Sequence, residues 1–459
     1  MPEVRPSDII FRAGGRVLEK YGVPAIAGGG RPRTGDLIET FSRADGGVQV
    51  GFYDQAGLLR FAGLNVLRAQ WMDTDGDAIR DRLALWFDDA RTSRALGNND
   101  FNAATGWFQV GTPVFTANYV SLGAISMTKI ADDDGAATEY TGFNYNGKTD
   151  KPWASPTDGD GTKPVSIFWT KSDLESPSGA QINITDTTAA GAVRFSANIK
   201  ADGAGAPVIS SLTGTYLGAE FITTVGTRKV YRLHFLTGTV TVANEHVIRV
   251  VPSGGGPASE TGDIICALYQ VENAGAFPSS PITPTTTVAI VKAADDLLYT
   301  LLGFSPSNDF TALARVVRTF WMDSSVGPAP IAPGISAIGS ALPSLNFFFA
   351  QAVPGAVAVQ IRDGATIQGP AASNLAAGTI VSVVGQWWNL KAGGFCKQDG
   401  GSGFSADSTP AANPFSKFGN ADVYVGRRIG ASQYLNGGLL DLIWARGRFS
   451  LVEMLKAAT

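Results

Sequence analysis

The chain has only two histidines and two cysteines in 459 residues, and this scarcity bounds its chemistry. A histidine-activated nucleophile or a zinc cluster needs several such side chains brought together. His234 and His246 both sit inside strand-like runs. Cys266 and Cys396 are 130 positions apart by number, and such sparse cysteines are expected as free thiols rather than as a disulfide. Charged residues make up 17% of the chain, the net charge is −4, and the longest like-charge block is Asp132-Asp133-Asp134. Nucleic-acid binding therefore has no electrostatic footprint and is not expected. No apolar run reaches the about 18 residues that span a bilayer, so membrane insertion is not expected either. The longest candidate, residues 345–361, is interrupted by Gln351, Pro354 and Gly355. Met1-Pro2-Glu3-Val4-Arg5 lacks the apolar core of a signal peptide, and assembly in a cytoplasm is expected. No nucleophile elbow, phosphate-binding loop or H-E-x-x-H occurs. An enzyme is not expected, although paired carboxylates for glycoside hydrolysis would leave no fixed spacing to read.

What is abundant is glycine (55) and proline (24), within a chain that is 44% hydrophobic. That mixture favours many short strands joined by tight turns. Residues 1–39 stand apart. A short amphipathic stretch (Ile9, Ile10, Phe11, Val17, Leu18, Tyr21) precedes the basic joint Gly28-Gly29-Gly30-Arg31-Pro32-Arg33. So small a module buries no core of its own, so it is either held by a neighbouring subunit or particle, or is a leader without fixed structure. Next comes Asp54-Gln55-Ala56-Gly57 between two β runs, a hairpin turn with glycine where a left-handed residue is wanted.

Strand-like runs then follow at short intervals: 125–130, 165–169, 180–184, 229–235, 247–251 and 264–271. In one of them Tyr231, Leu233 and Phe235 share a face, with Arg232 and His234 opposite. Strands at this spacing, without helices between them, predict antiparallel two-sheet sandwiches. Glu272 to Pro284 reads as a rigid exit, with Gly275 and three prolines (Pro278, Pro281, Pro284) after the apolar run. A second set of runs covers 311–321, 356–361 and 380–384, and Ser450 is placed to cap a short closing helix.

Several of these phrases resemble segments of tailed-bacteriophage virion proteins. Thr40-Phe41-Ser42-Arg43-Ala44 with the 52–68 hairpin and Arg91-Thr92-Ser93-Arg94 is similar to the connector ahead of a carbohydrate-binding-like sandwich. That family more often has Asn where Ser93 stands. Asp100-Phe101 followed by Trp107 resembles the opening of such a sandwich, and Gln270 to Pro284 resembles its close. Leu435-Asn436-Gly437-Gly438 to Leu455 is similar to the close of concanavalin/laminin-G-like jelly rolls.

The reading is an all-β chain with two antiparallel, jelly-roll-like β-sandwich domains behind an N-terminal arm and a β-hairpin connector. Its divisions are 1–39 (virion attachment), 40–97 (connector), 98–284 (carbohydrate-binding-like) and 285–459 (concanavalin/laminin-G-like). The resemblance implies a phage tail fibre or surface spike, commonly homotrimeric. It would be anchored to other virion proteins through residues 1–39 and bind host-surface polysaccharide outside the cell. A purely structural decoration protein and a polysaccharide depolymerase are the alternatives.

Sugar recognition needs flat aromatic faces beside hydrogen-bonding groups. Tyr140, Phe143, Tyr145 and Trp153, with Asn144, Asn146, Asp158 and Asp160, offer that mixture in a stretch read as loop. Trp387-Trp388 is the rival, because adjacent strand positions point to opposite faces. No cofactor is expected. The acidic turns Asp73-Thr74-Asp75-Gly76-Asp77 with Asp81, and more weakly Asp132-Asp133-Asp134 and Asp158-Gly159-Asp160, hint at calcium, but read first as solvated turns. The first departs from a helix-loop-helix calcium site, since its glycine is fourth rather than sixth.

Overall fold

The computed structural model describes residues 10–12, 37–42, 49–63, 68–73, 80, 82–88, 90–93, 101, 107–135, 138–146, 160–186, 191–241, 245–254, 260–273, 275, 277–282, 290–292 and 295–301. Toward the C-terminus it describes 310–317, 334–337, 344–350, 356–363, 365–372, 380–388, 391–398, 403–408, 421–425 and 437–446. Among the described residues every regular element is a strand.

In chain order, β1 (Ile10–Arg12) and β2 (Leu37–Ser42) precede the hairpin β3 (Val50–Tyr53) and β4 (Leu59–Ala62). Then come β5 (Arg68–Met72), β6 (Arg82–Phe87), β7 (Arg91–Ser93), β8 (Phe108–Val110) and β9 (Val114–Ser121). Next are β10 (Ser126–Asp132), β11 (Tyr140–Asn146), β12 (Pro164–Thr170), β13 (Ala180–Asp186) and β14 (Val193–Ala201). These are followed by β15 (Pro207–Thr213), β16 (Thr215–Val225), β17 (Arg228–Leu236), β18 (Glu245–Val251), β19 (Gly262–Val271) and β20 (Ile290–Lys292). The remainder holds β21 (Asp296–Leu301), β22 (Phe310–Val317), β23 (Gly334–Ala337), β24 (Ser344–Ala350), β25 (Ala356–Asp363) and β26 (Ala365–Ala372). Last come β27 (Ile380–Trp388), β28 (Lys391–Gln398), β29 (Gly403–Ser408), β30 (Ala421–Val425) and β31 (Gly437–Arg446).

The chain forms two compact units, each discontinuous in sequence: 45–63 with 90–292, and 1–44 with 64–89 and 293–459. The first is an antiparallel β-sandwich. One sheet has the order β16-β17-β12-β19-β10-β9 and the other β15-β14-β13-β18-β11-β8. Alternate residues of both sheets meet in one core: Ile167, Trp169, Leu233, Phe235, Ile264 and Cys266 from the first, Phe143, Ile182, Phe195 and Ile248 from the second. Phe101 and Trp107, read from sequence as the sandwich opening, are fully buried there, edge to face at 5.0 Å.

The first sheet is also covered on its outer face. Tyr53 and Leu59 of the hairpin join Phe168, Ile222, Val230, Ile265 and Ala267 in a second cluster. The turn is as the sequence suggests: Gly57 has φ 74° and its N–H donates to the Asp54 carbonyl (2.9 Å). A Cβ there would lie 2.3 Å from the Ile222 carbonyl oxygen, so the hairpin seats on the sheet through glycine. Arg232 and His234 are buried although they lie opposite the sandwich core, and Arg232 reaches the Ser279 carbonyl (2.6 Å) on that side.

The 277–282 segment, read from sequence as a rigid exit, is a buried strap of the same unit. Glu272 Oε1 accepts hydrogen bonds from the Ser279 N–H (2.8 Å) and hydroxyl (2.9 Å), and Gln270 Oε1 accepts from the Ile282 N–H (3.1 Å). Gly51 N–H donates to the Pro281 carbonyl (2.6 Å), which ties the strap to the hairpin. Gln270 and Glu272 supply buried acceptors for the Ser279 and Ile282 N–H groups of this proline-rich chain.

The second unit contains a sheet ordered β29-β28-β27-β22-β31-β6-β5, with β1 paired to β31, and a sheet ordered β2-β21-β30-β23-β24-β25-β26. Arg68, 1% exposed, donates to Asp88 (2.7 Å) and to Asp295 and joins β5 to the chain before β21. The sequence assigned 1–39 to an attachment arm; in the structure these residues include all of β1 and the start of β2. The 40–97 stretch read as one connector is shared between the units. The Ser450-capped helix lies outside the described residues.

Removing the Glu272 carboxylate would leave the strap donors and Arg91 (Nε 3.3 Å from Glu272 Oε2) uncompensated in a buried site. Glu272→Ala is expected to lower unfolding free energy by about 3–5 kcal/mol in denaturant titration. A second expectation concerns pH. Burial lowers the His234 pKa from 6.5 to about 4, against the opposing pull of Glu220 at 3.7 Å. The unfolded chain therefore takes up this proton first. The stability owed to neutral His234 is complete above about pH 6.5 and is lost as pH falls toward 4, by roughly 3 kcal/mol. A His234→Gln variant should lack that slope when both are unfolded across the window.

Candidate glycan-binding face

The second sheet of the sandwich has one face in the core, which leaves the opposite face for polar chemistry. Alternation puts Gln181, Asn183, Ser196, Asn198 and Arg249 there, because Ile182, Ile184, Ala197, Ile248 and Val250 point into the core. Register aligns them in a row across five strands: Ser196 opposite Asn183, Asn183 opposite Arg249, Arg249 opposite Gly142, and Gly142 opposite Phe108.

The amides order one another. Gln181 Nε2 donates to Asn198 Oδ1 (3.0 Å), Asn183 Nδ2 donates to Gln181 Oε1 (2.7 Å), and Asn198 Nδ2 donates to the Ser178 carbonyl (2.8 Å). Beside them the Arg249 guanidinium lies over the Tyr140 ring at 5.0 Å, and Phe108 meets Tyr140 edge-on at 6.2 Å. Asn183, Ser196 and Asn198 are buried, Gln181, Tyr140 and Arg249 are half-buried, and among the described residues Arg249 Nε has no acceptor. Gly142 is required: a Cβ there would come within 2.6 Å of the Phe108 ring. Fixed amides, a guanidinium and aromatic rings on one face are the groups that hydrogen-bond hydroxyls and stack on apolar sugar faces.

A second aromatic, Tyr119 on edge strand β9, is 38% exposed but differently employed. Its hydroxyl donates to Asp173, and Lys129 and Arg228 lie over its ring at 5.4 and 5.6 Å. Partial burial opposes ionisation of Asp173, but hydrogen bonds from Lys129, Tyr119 and Arg228 outweigh it and hold the carboxyl well below its usual range. With Asp263 3.2 Å from Lys129, two cations meet two anions in a self-satisfied network. That network leaves little of the ring for a ligand.

Those of the expected site residues that are described are divided among separate elements. Tyr140 lies on the polar face. Tyr145 is in the same strand, opposite His246, so the stretch read as loop is β11 for residues 140–146, paired on both sides. Phe143, expected with them, is a core residue at 5% exposure. Trp153 and Asp158 lie outside the described residues. Asp160 is exposed, next to the bridge between Gly161 and Val240. Trp387 and Trp388 end β27 in the other unit, opposite Ala392 and Lys391. Arg249, Gln181, Asn183 and Asn198, the polar groups that the fold gathers on this face, were not among the expected site residues. Their signal was legible as amides alternating with apolar residues in Gln181-Ile182-Asn183-Ile184. Among the described residues one group of three carboxylates is close enough to share a metal ion: Asp132, Asp134 and Glu139.

No protein-family model and no curated protein matches the chain. Solved structures similar to it include the enzymatically active domain of tailspike protein 2 of bacteriophage CBA120, at 15% identity and TM-score 0.25 over 34% of this chain and 24% of that one. Domains LG4-5 of the mouse laminin α1 chain align at 13% identity and TM-score 0.22, over 72% of this chain and 90% of that one. A tail fibre protein of an E. coli phage aligns at 10% identity and TM-score 0.21, over 79% of this chain and 41% of that one. The chain thus spans about a quarter of the tailspike domain's length.

Proposed function

We propose that this chain is a tail fibre or surface spike of a tailed phage or phage-like particle and binds host-surface glycan on the outer face of β14-β13-β18-β11-β8. The observation that carries the binding site is the row of ordered amides leading to Arg249 and Tyr140. The virion assignment draws on the sequence phrases around the hairpin, the sandwich opening and the 270–284 segment. Binding is favoured over hydrolysis because the assembled groups are hydrogen-bond donors, acceptors and stacking surfaces rather than a pair of proton-transfer groups. Tyr145, five positions along the strand from Tyr140, does not share its face by alternation, and it stays in the proposal, with Trp153, Asp158 and Asp160, on sequence grounds alone. Trp387 and Trp388 stand for a rival surface in the other unit. Attachment to other virion proteins through the N-terminal residues, and action outside the host cell, complete the reading.

A structural decoration role is the second reading. It is favoured by exposed apolar side chains on the sandwich's edge strands: Val110 on β8, Val114 on β9, and Val208 and Leu212 on β15. Unpaired edges with apolar side chains suit contacts with other subunits, including a homotrimer.

Purified protein should bind host cells and lose that binding when surface polysaccharide is enzymatically removed. Arg249→Ala and Tyr140→Ala should each weaken binding by about 1–3 kcal/mol, by analogy with aromatic stacking on planar rings. Binding indifferent to stripping would contradict the glycan reading and favour decoration. Reducing ends released from the polysaccharide would favour a depolymerase.

A further inference from the structure

The chain crosses from one sheet of the sandwich to the other between Asp132, the last residue of β10, and Glu139, which directly precedes β11. Both side chains are buried, at 0% and 3% exposure. Each carboxylate uses one oxygen. Asp132 Oδ2 accepts the Glu139 N–H (3.1 Å), and Glu139 Oε1 accepts the N–H (2.5 Å) and hydroxyl (2.8 Å) of Thr112. The remaining oxygens, Asp132 Oδ1 and Glu139 Oε2, are buried and, among the described residues, have no hydrogen-bond partner. Exposed Asp134 completes the group, and one carboxylate oxygen from each of the three residues lies within 4.8 Å of the others.

Two buried like charges with an idle oxygen each are costly, and among the described residues neither is ion-paired to a basic side chain. We propose that Asp132, Asp134 and Glu139 bind a calcium ion. Oxygen-only donors select a hard divalent cation. Ligands 2.3–2.6 Å from one calcium ion are at most about 5 Å apart, which the grouping satisfies. Calcium also tolerates irregular coordination completed by water, which a turn with one exposed ligand allows, whereas magnesium demands a near-ideal octahedron. The ion would staple the crossover between the sheets to Thr112 in the β8–β9 turn and fix the start of β11, one residue before Tyr140. The proposal does not depend on the glycan reading.

The full chain, stripped with EGTA, is titrated with calcium chloride by calorimetry and melted with and without the ion. One calcium per chain should bind and raise the melting temperature by about 5 °C at saturation, with a smaller effect of magnesium. Asp134→Asn, at an exposed position, should fold and melt like the ion-free protein while losing calcium affinity at least about tenfold. Asp132→Asn should melt no lower than the ion-free protein, since it removes one buried charge, and should lose the calcium-dependent rise. Identical melting curves in calcium and EGTA, an equal response to magnesium, or undiminished binding in the Asp132→Asn/Asp134→Asn double variant would overturn the assignment.

Discussion

Strand β19 is buried along its whole length, and the 45–63/90–292 unit is organised by what its two faces require. Ile264 and Cys266 pack into the sandwich core, while Ile265 and Ala267 pack under the hairpin. Simple alternation would then send Leu268 inward and Tyr269 outward. Instead, Leu268 adopts φ 45°, and the register with β12 shifts by one residue between Ser166 and Phe168. This bulge returns Tyr269 and Val271 to the core and turns Gln270 and Glu272 toward the strap. A left-handed leucine costs on the order of 1–3 kcal/mol. The cost is offset by the buried hydrogen bonds that Gln270 and Glu272 make only in this register.

The consequence for function is an asymmetry between the sheets. The central strands β17, β12 and β19 of the β16-β17-β12-β19-β10-β9 sheet are buried along nearly their whole length, so its polar residues there, Arg232 and His234, are structural. Arg232 donates to Ser166 (2.9 Å) and to the Ser279 carbonyl (2.6 Å), and His234 is held neutral by burial. The opposite sheet spends one face on the core and has the other for an ordered polar row. The proposed glycan site is assigned to that face because the hairpin covers the other sheet.

Much of this was legible in the sequence. The runs at 165–169, 180–184, 229–235 and 264–271 are strands, and the Asp54–Gly57 turn behaves as its glycine suggests. The β19 bulge was hidden, because an unbroken apolar run from Ile264 to Leu268 reads alike in either register. The burial of the 277–282 strap was hidden for a related reason. Proline and glycine signal a break in regular structure, but Gln270 and Glu272, which hold the broken segment down, are long-range partners only the fold brings near. Phe143 illustrates a third limit. Its glycine- and asparagine-rich surroundings resemble a loop, yet pairing with β18 makes it a strand residue facing the core.

The central claim is that ligand meets the outer face of the β14-β13-β18-β11-β8 sheet. The most direct measurement is amide hydrogen exchange of the purified protein with and without isolated host polysaccharide. Added protection concentrated in residues 140–143, 181–185, 196–198 and 247–251 is what the account predicts. Protection confined to 380–388, or none at saturating polysaccharide, would contradict it.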